Sequence, residues 1–419
     1  MKAGASSVCI TPPSGVVLEG YASRRGVAYG VHDDLYVSSL WLEVGGKTFV
    51  FSSLDVLGIP NTLDSVVRSR VLEEFGVSPD NLMLTATHTH SGPALLGLQE
   101  GNQLNEFWLK LLPEHILGSI RMAKHAAESC FMTTGTTSEP EIGKNRRKPG
   151  GPTDPTLTAV AFWKKGTKDC IAVLINYACH ATVLDHNNLL ISSDFVGPLR
   201  ETILNMKEFK GSVVLFFNGA EGDVNIGYSA EKSALGKSVE VRRDFETAVR
   251  IGKVLALDAL LALEKGTKVD GEFPVFSLYR RIRVPARKPR DVEEIKRDLT
   301  STTDELEKFF LSEELKVSGS LPQEVDLPLH LIRLPNLTIF ALPVEPFSEI
   351  GLRLRALVKN GNVMIVSMAN GWYGYLPTKE AFQEGGYETR LGRWSYLSED
   401  AANEIVNKLK TMLEGRVNV

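Results

Sequence analysis

The stretch Leu84-Thr-Ala-Thr-His-Thr-His-Ser-Gly-Pro93 runs a short apolar segment into two histidines and then stops it. In an extended backbone, residues two apart point to the same side, so His88 and His90 would present both imidazoles to one spot. Such a pair suits a metal ion or a proton-transfer step, and a hydrogen-bonded loop pair is the bland alternative.

Three further segments share this grammar, an apolar run whose end delivers polar side chains. Ile171-Ala-Val-Leu-Ile-Asn-Tyr-Ala-Cys-His180 delivers His180, either a ligand or a satisfied core histidine. Asp194, in Ile191-Ser-Ser-Asp194, reads as a helix N-cap or as a carboxylate supporting a site. Ser212-Val-Val-Leu-Phe-Phe-Asn-Gly-Ala-Glu-Gly-Asp-Val-Asn225 contains Gly219 and Gly222, which permit either backbone amides close to a ligand or a plain tight turn. Leu337-Thr-Ile-Phe-Ala-Leu-Pro-Val-Glu-Pro-Phe347 holds Glu345 between Pro343 and Pro346, a rigid carboxylate for a metal or a charge at a helix start. Sites of α/β proteins are assembled from strand ends and the loops after them, so these four ends are where chemistry is expected.

The elements that must position them alternate along the whole length. Runs rich in Val, Ile, Leu and Phe predict strands over 38–44, 48–53, 81–87, 156–163, 171–177, 212–217, 277–284, 337–342 and 363–368. Helical spacing predicts helices over 62–75, 106–128, 196–206, 245–264, 292–311, 346–358 and 401–413. The charge-rich stretch 286–325 reads as an inserted helical excursion capping the surface, and no linker or internal repeat divides the chain.

At 419 residues, 43% hydrophobic and 23% charged, the composition is that of an ordinary soluble globular protein. A formal net charge of -4 gives no general attraction to nucleic acid or to anionic membranes. The basic run Lys144-Asn-Arg-Arg-Lys148 reads on its own as a solvated loop. No apolar run reaches the roughly 18 residues of a membrane span and the start lacks a secretory core, so a cytoplasmic protein is expected. Cys9, Cys130, Cys170 and Cys179 form no Cys-x-x-Cys, which disfavours a zinc ribbon or a dithiol redox site. Neither a Gly-x-Ser-x-Gly elbow nor a nucleotide-binding glycine loop occurs.

Taken in order, the motifs resemble the neutral ceramidase family, also called neutral/alkaline non-lysosomal ceramidases. The resemblance is carried by Gly20-Tyr-Ala22, Gly30-Val-His32, Thr87-His-Thr-His-Ser-Gly-Pro93, Asn145-Arg146, Cys179-His180 with Ser193-Asp194, Asn218 to Asp223, Pro343-Val-Glu-Pro-Phe347, and Tyr375 with Tyr387-Glu388. It spans the catalytic domain of the family from about Ala3 to Tyr396. It implies an α/β fold: one large domain, 1–419, with mixed β-sheets flanked by helices and without the C-terminal immunoglobulin-like domain of longer members.

The resemblance further implies one zinc ion per chain held by His88, His180, Glu345 and the phenol oxygen of Tyr375. It leaves His90 for proton transfer and sets Arg146 and Tyr387 toward a substrate carbonyl, with Arg147 and Lys148 as solvated charges. The implied reaction is hydrolysis of an amide by metal-activated water. Where longer members have Asp-x-Ser-Pro, this chain reads Asp223-Val-Asn-Ile226, so Asn225 replaces the serine and is expected to donate a hydrogen bond rather than act as a nucleophile. The expected partner is a small N-acylated amine or lipid-like amide that need not be a sphingolipid, and assembly into a homo-oligomer is left open. Two competing readings are a barrel amidohydrolase and an inactive metal- or lipid-binding relative of the same fold.

Overall fold

Strands form where aliphatic, aromatic and β-branched residues run together, and the sheets they build are buried on both faces. The computed structural model describes residues 1–271 and 273–417. Within them one mixed sheet contains β1 (Lys2–Cys9), β2 (Tyr36–Val44), β3 (Lys47–Leu54), β4 (Leu82–Ala86), β5 (Glu128–Ser138), β6 (Thr156–Lys164), β7 (Cys170–Tyr177), β8 (Val213–Asn218) and β9 (Thr267–Val269). Its spatial order is β8-β7-β6-β5-β1-β2-β3-β4, with β9 also paired to β5. The pairs at the two ends, β3 with β4 and β7 with β8, are parallel, and the remaining pairs are antiparallel.

A second sheet contains β10 (Phe276–Pro285), β11 (Glu324–Leu334), β12 (Leu337–Ala341) and β13 (Asn362–Val366), of which β12 and β13 run parallel. The two sheets pack face to face. Phe49, Phe51, Leu174, Leu215 and Phe217 of the first meet Ile332, Ile339, Met364 and Val366 of the second in one buried cluster. Full burial of such a side chain contributes about 1.5–3 kcal/mol, which makes this seam the principal fastening between the sheets.

Helices cover the outer faces. Against the first sheet lie α1 (Asn61–Phe75) and α2 (Gln103–His125) at one end, and α3 (Val196–Leu204) and α4 (Phe245–Glu264) at the other. Helix α4 starts where Asp244 accepts a hydrogen bond from Thr247 N, and its buried Ile251, Leu255 and Ala259 repeat at helical spacing. The charge-rich stretch forms α5 (Val292–Ser301) and α6 (Glu305–Val317), inserted between the neighbouring strands β10 and β11. The single helix expected over 292–311 breaks after Ser301 because Asp304 caps a new helix, accepting from Leu306 N and Glu307 N. Helices α7 (Ser348–Arg355) and α8 (Ala401–Val417) close the far side, with Ile350, Ile405 and Leu409 against Leu329 and Phe340.

The result is a mixed α/β fold of helix, sheet, sheet and helix layers. Both sheets are open, so the barrel amidohydrolase reading fails. No helix among the described residues is long and apolar enough to cross a membrane.

Candidate metal centre and active site

The parallel pairs place the chemistry. Chain leaving the carboxyl ends of β4, β7, β8, β12 and β13 converges on one buried spot, the arrangement expected where loops follow parallel strands. His88 comes from the end of β4 and His180 from β7, while Glu345 and Tyr375 lie beyond β12 and β13 in two short strands, Glu345–Pro346 and Tyr375–Leu376, that pair in parallel.

His88 and His90 do converge, though not as neighbours on a strand. The strand stops at Ala86, and His88 lies at φ 67, a left-handed conformation that side chains other than glycine rarely adopt. The turn is held by Thr87 N donating to Leu54 O and His88 N donating to Val56 O. Backbone strain of this kind costs of order 1–3 kcal/mol and gathers at functional sites.

Each imidazole is fixed by a backbone carbonyl. His88 Nδ1 donates to Leu57 O (2.6 Å), His90 Nδ1 to Gly20 O (2.8 Å), and His180 Nδ1 to Glu221 O (2.8 Å) and Val224 O (3.0 Å). Carbonyls only accept, so all three rings carry their proton on Nδ1 when neutral and turn the Nε2 lone pair inward. Those nitrogens meet: His90 Nε2 is 3.2 Å from His88 Nε2. The Glu345 Oε2 atom is 3.5 Å from His88 Nε2 and 3.3 Å from His180 Nε2, and among the described residues it has no hydrogen-bond partner. The other carboxylate oxygen, Oε1, accepts from Trp372 Nε1 (2.9 Å).

Burial and neighbouring charge set the protonation of the group. Burial, helped by the Arg146 charge, pulls the His180 imidazole down to about 4. Burial and then the facing His88 and His180 hold His90 well below the ordinary histidine value. Burial alone would raise the Glu345 carboxyl, yet the two imidazoles beside it outweigh this and hold it well below the usual carboxylate range. The His90 and His180 lone pairs and the Glu345 carboxylate thus make the centre a cluster of acceptors.

Donors stand on one side of it. Arg146 Nη1 is 3.4 Å from His180 Nε2, its Nη2 donates to Tyr375 Oη and to Gly222 O (both 3.0 Å), and its Nε donates to Glu388 Oε1 (2.7 Å). Tyr375 Oη lies 3.5 Å from His180 Nε2. Burial pushes the Tyr375 phenol well above its ordinary value even beside Arg146, so without a cation it is neutral. Arg147 is not the solvated charge expected: its Nη1 donates to Glu388 Oε2 (2.8 Å), and the side chain is mostly buried. Lys148 does reach the surface, paired with Glu384.

Tyr387 stands further out. Its ring meets the Tyr375 ring edge-on at 6.1 Å and stacks on Trp394 at 5.0 Å, and Trp394 in turn stacks on Phe309 of α6. Tyr387, Trp394 and Phe309 line a cavity of about 660 Å³, together with Tyr21, whose ring packs 5.0 Å from His90. The cavity thus adjoins the cluster through Tyr387 on one side and Tyr21 on the other. Charged Lys308, Glu313 and Arg393 share its wall.

Asn225 is turned elsewhere. Its Oδ1 accepts from Gly227 N (2.7 Å) and Tyr228 N (3.1 Å), and its Nδ2 donates to Tyr228 O (2.9 Å), so the amide is engaged in closing a local turn. Asp194 does not cap α3; it accepts from Val183 N, Leu184 N and Phe195 N and holds the chain just after His180. The amides of Gly219 and Gly222 are used by protein carbonyls rather than offered to a ligand. Gly222 permits a close approach, since a Cβ there would lie 2.4 Å from Glu345 O.

Three contributors were given no role from the sequence, although Glu388 and Glu221 lie within its motifs. Trp372 orients Glu345, Glu388 anchors both arginines, and Glu221 brings a second carboxylate to the cluster. Burial, and next the charge of Glu345, push the Glu221 carboxyl well above its ordinary value.

Fold and cluster together define an α/β protein with a buried, cation-seeking donor set. No family model matches the chain. Over 218 residues it is 25% identical to the neutral ceramidase of Drosophila pseudoobscura pseudoobscura, a match covering 47% of this chain and 31% of that protein. The match thus spans less than a third of the curated relative's length. The crystal structure of neutral ceramidase from Pseudomonas aeruginosa superposes with a TM-score of 0.78 at 19% identity, over 98% of this chain and 73% of that one. A ceramidase complexed with C2 gives 0.77 at 18% identity, over 99% and 75%. The chain is thus similar in part of its sequence to a neutral ceramidase and shares the fold of solved ceramidases along almost its whole length.

Proposed function

We propose that the protein hydrolyses the amide bond of an N-acylated amine, a ceramide-type lipid amide being the first candidate, with zinc held by His88, His180, Glu345 and Tyr375. The observation that carries this reading is the meeting of acceptors. Nε2 lone pairs facing one another at 3.2 Å beside an unpartnered carboxylate oxygen repel unless a cation or a proton lies among them. Two imidazoles and a carboxylate, with a phenol oxygen beside them, suit zinc chemically. When bound, zinc supplies Lewis acidity and makes water acidic enough to ionise near neutral pH.

The chain's own residues do the rest. Arg146, tethered by Glu388, keeps a fixed positive charge beside the spot where an amide carbonyl oxygen gains negative charge, and Tyr387 offers a hydroxyl from the cavity wall. His90 is the partly exposed imidazole of the three, which suits a residue that must exchange protons with solvent. Its Nε2 takes the proton released as water adds to the carbonyl carbon and returns it to the amine nitrogen as the C–N bond breaks. Asn225 has no step here, and the retained His90, Arg146 and Tyr387 favour an enzyme over an inactive binding relative.

The deciding experiment incubates zinc-loaded and chelator-treated protein with a short-chain ceramide, an N-acyl amino sugar and a simple N-acyl amine, and measures free amine released. Hydrolysis of at least one amide, lost on chelation and restored by zinc, is expected. Zinc-loaded protein that leaves the whole panel intact would refute the reading.

Gly20 supplies a sharper test. It lies at φ 115, and a Cβ there would fall 2.5 Å from His90 Nδ1. Gly20→Ala is expected to swing His90 off Gly20 O and lower kcat by about tenfold to a hundredfold, part of the 10²–10⁴ of a positioned proton donor. Zinc content, measured by elemental analysis, stays at the wild-type level because His88, His180 and Glu345 are untouched.

A further inference from the structure

The structure assigns Glu221 as a further protein ligand of the cation, an inference that rests on the metal reading above. Glu221 follows β8 within the turn Gly219-Ala-Glu-Gly222 and is fully buried. Among the described residues neither Oε1 nor Oε2 of its carboxyl has a hydrogen-bond partner. The Ser367 hydroxyl beside it, which offsets part of the cost of its charge, donates to Asn218 O at 3.3 Å. A buried carboxyl left with both oxygens unmatched costs several kcal/mol if ionised, so such a group persists where something else satisfies it.

That something is defined by its neighbours. A carboxylate oxygen of Glu221, a ring nitrogen of His88 and a carboxylate oxygen of Glu345 lie within 4.8 Å of one another, and His88, His90 and His180 form a second such group. Each group takes one nitrogen from His88, whose Nδ1 is spent on Leu57 O. With Nε2 alone free, His88 turns the same nitrogen toward Glu221 and Glu345 as toward the other two imidazoles. Glu345 Oε2, the other unpartnered carboxylate oxygen of the centre, faces that nitrogen and His180 Nε2.

Local backbone bonds hold Glu221 there. Its own carbonyl accepts both His180 Nδ1–H and Val224 N–H, so the residue that fixes the His180 tautomer also offers its side chain to the cluster. Two carboxylates balance the charge of a dication that neutral imidazoles leave uncompensated, and oxygen donors widen the range of metals held beyond zinc toward manganese.

The test is a titration of metal-free protein with zinc against a chromophoric chelator, which reads affinity rather than turnover. Glu221→Gln, and Glu221→Leu as a variant that packs without any acceptor, are each expected to raise the zinc Kd by about tenfold or more, the scale on which even outer partners of a metal site act. Metal-free Glu221→Leu is expected to melt at or above the wild-type temperature, since it deletes an unmatched buried carboxyl; a purely structural glutamate would give a lower melting point instead. Zinc Kd values within twofold of wild type in both variants, while His88→Ala abolishes binding, would overturn the assignment of Glu221 alone. Wild-type protein that fails to bind zinc, or His88→Ala that binds as wild type, would overturn the metal reading itself.

Discussion

His88→Ala is expected to empty the metal centre and to abolish amide hydrolysis, whereas His90→Ala keeps the metal and loses turnover by about 10²–10⁴-fold. The two residues are separated by one threonine and their Nε2 atoms by 3.2 Å, so proximity does not distinguish them. Their surroundings do. His88 is buried and faces Glu345 Oε2, while His90 is partly exposed and contacts Tyr21 of the cavity wall. Zinc by elemental analysis and kcat on one amide substrate are both needed. Should His90→Ala lose zinc as fully as His88→Ala, the three imidazoles would form one ligand set and proton transfer would need another residue.

The positions of His88, His180 and Glu345 were legible because the strands that deliver them are largely apolar and end abruptly in polar chain, whereas Tyr375 entered only through the family resemblance. β7 is buried at every residue, and a run of that kind announces itself without knowledge of the fold. The strands that escaped prediction are those whose burial depends on close packing rather than on large side chains. β1 reads Lys-Ala-Gly-Ala-Ser-Ser-Val-Cys, and it is central because Gly4 lets the end of α2 lie against it: a Cβ there would be 2.2 Å from Ala123 O. β5 is threonine-rich and carries Gly135, where a Cβ would meet Ala262 O of α4. β11 was hidden for another reason: it is rich in leucine, but it contains Pro328 and begins inside the stretch read as a helical excursion. Small residues at a contact carry no periodic signal, so only the fold reveals them.

The same division runs through the site. Residues that enter the cluster from strand ends could be found, whereas those that position them could not, because their partners are remote in sequence. Glu388 reaches Arg146 across 242 positions, and Trp372 reaches Glu345 through an indole nitrogen that no local pattern marks. Glu221 was hidden differently, inside a turn whose glycines drew attention to backbone amides. Those amides serve the protein, and Gly222 serves to bring the turn against Glu345.

Arg146→Ala is expected to damage stability and catalysis at once, and a second substitution separates the two. The Arg146 and Glu388 side chains are 5% and 2% exposed, so removing the guanidinium leaves a buried carboxylate that only Arg147 still neutralises. Breaking a buried pair costs about 3–5 kcal/mol, and the surviving Arg147 contact places the loss near the lower bound. Burial alone would raise the Glu388 carboxyl, but the two arginines outweigh it and hold it below the usual range. A depressed carboxylate contributes stability that is complete above its unfolded value of about 4.3 and is lost as pH falls through the folded value, so the deficit of Arg146→Ala is largest at neutral pH and narrows in acid. Adding Glu388→Gln removes the stranded charge and should recover most of the lost melting temperature. It should not recover turnover, because the positive charge beside His180 and Tyr375 is still missing; a loss of about 10²–10³ in kcat, the scale of one oxyanion donor, is expected in both the single and the double variant. If kcat returned together with stability in the double variant, Arg146 would be a support of the fold and the charge facing the substrate carbonyl would have to come from elsewhere.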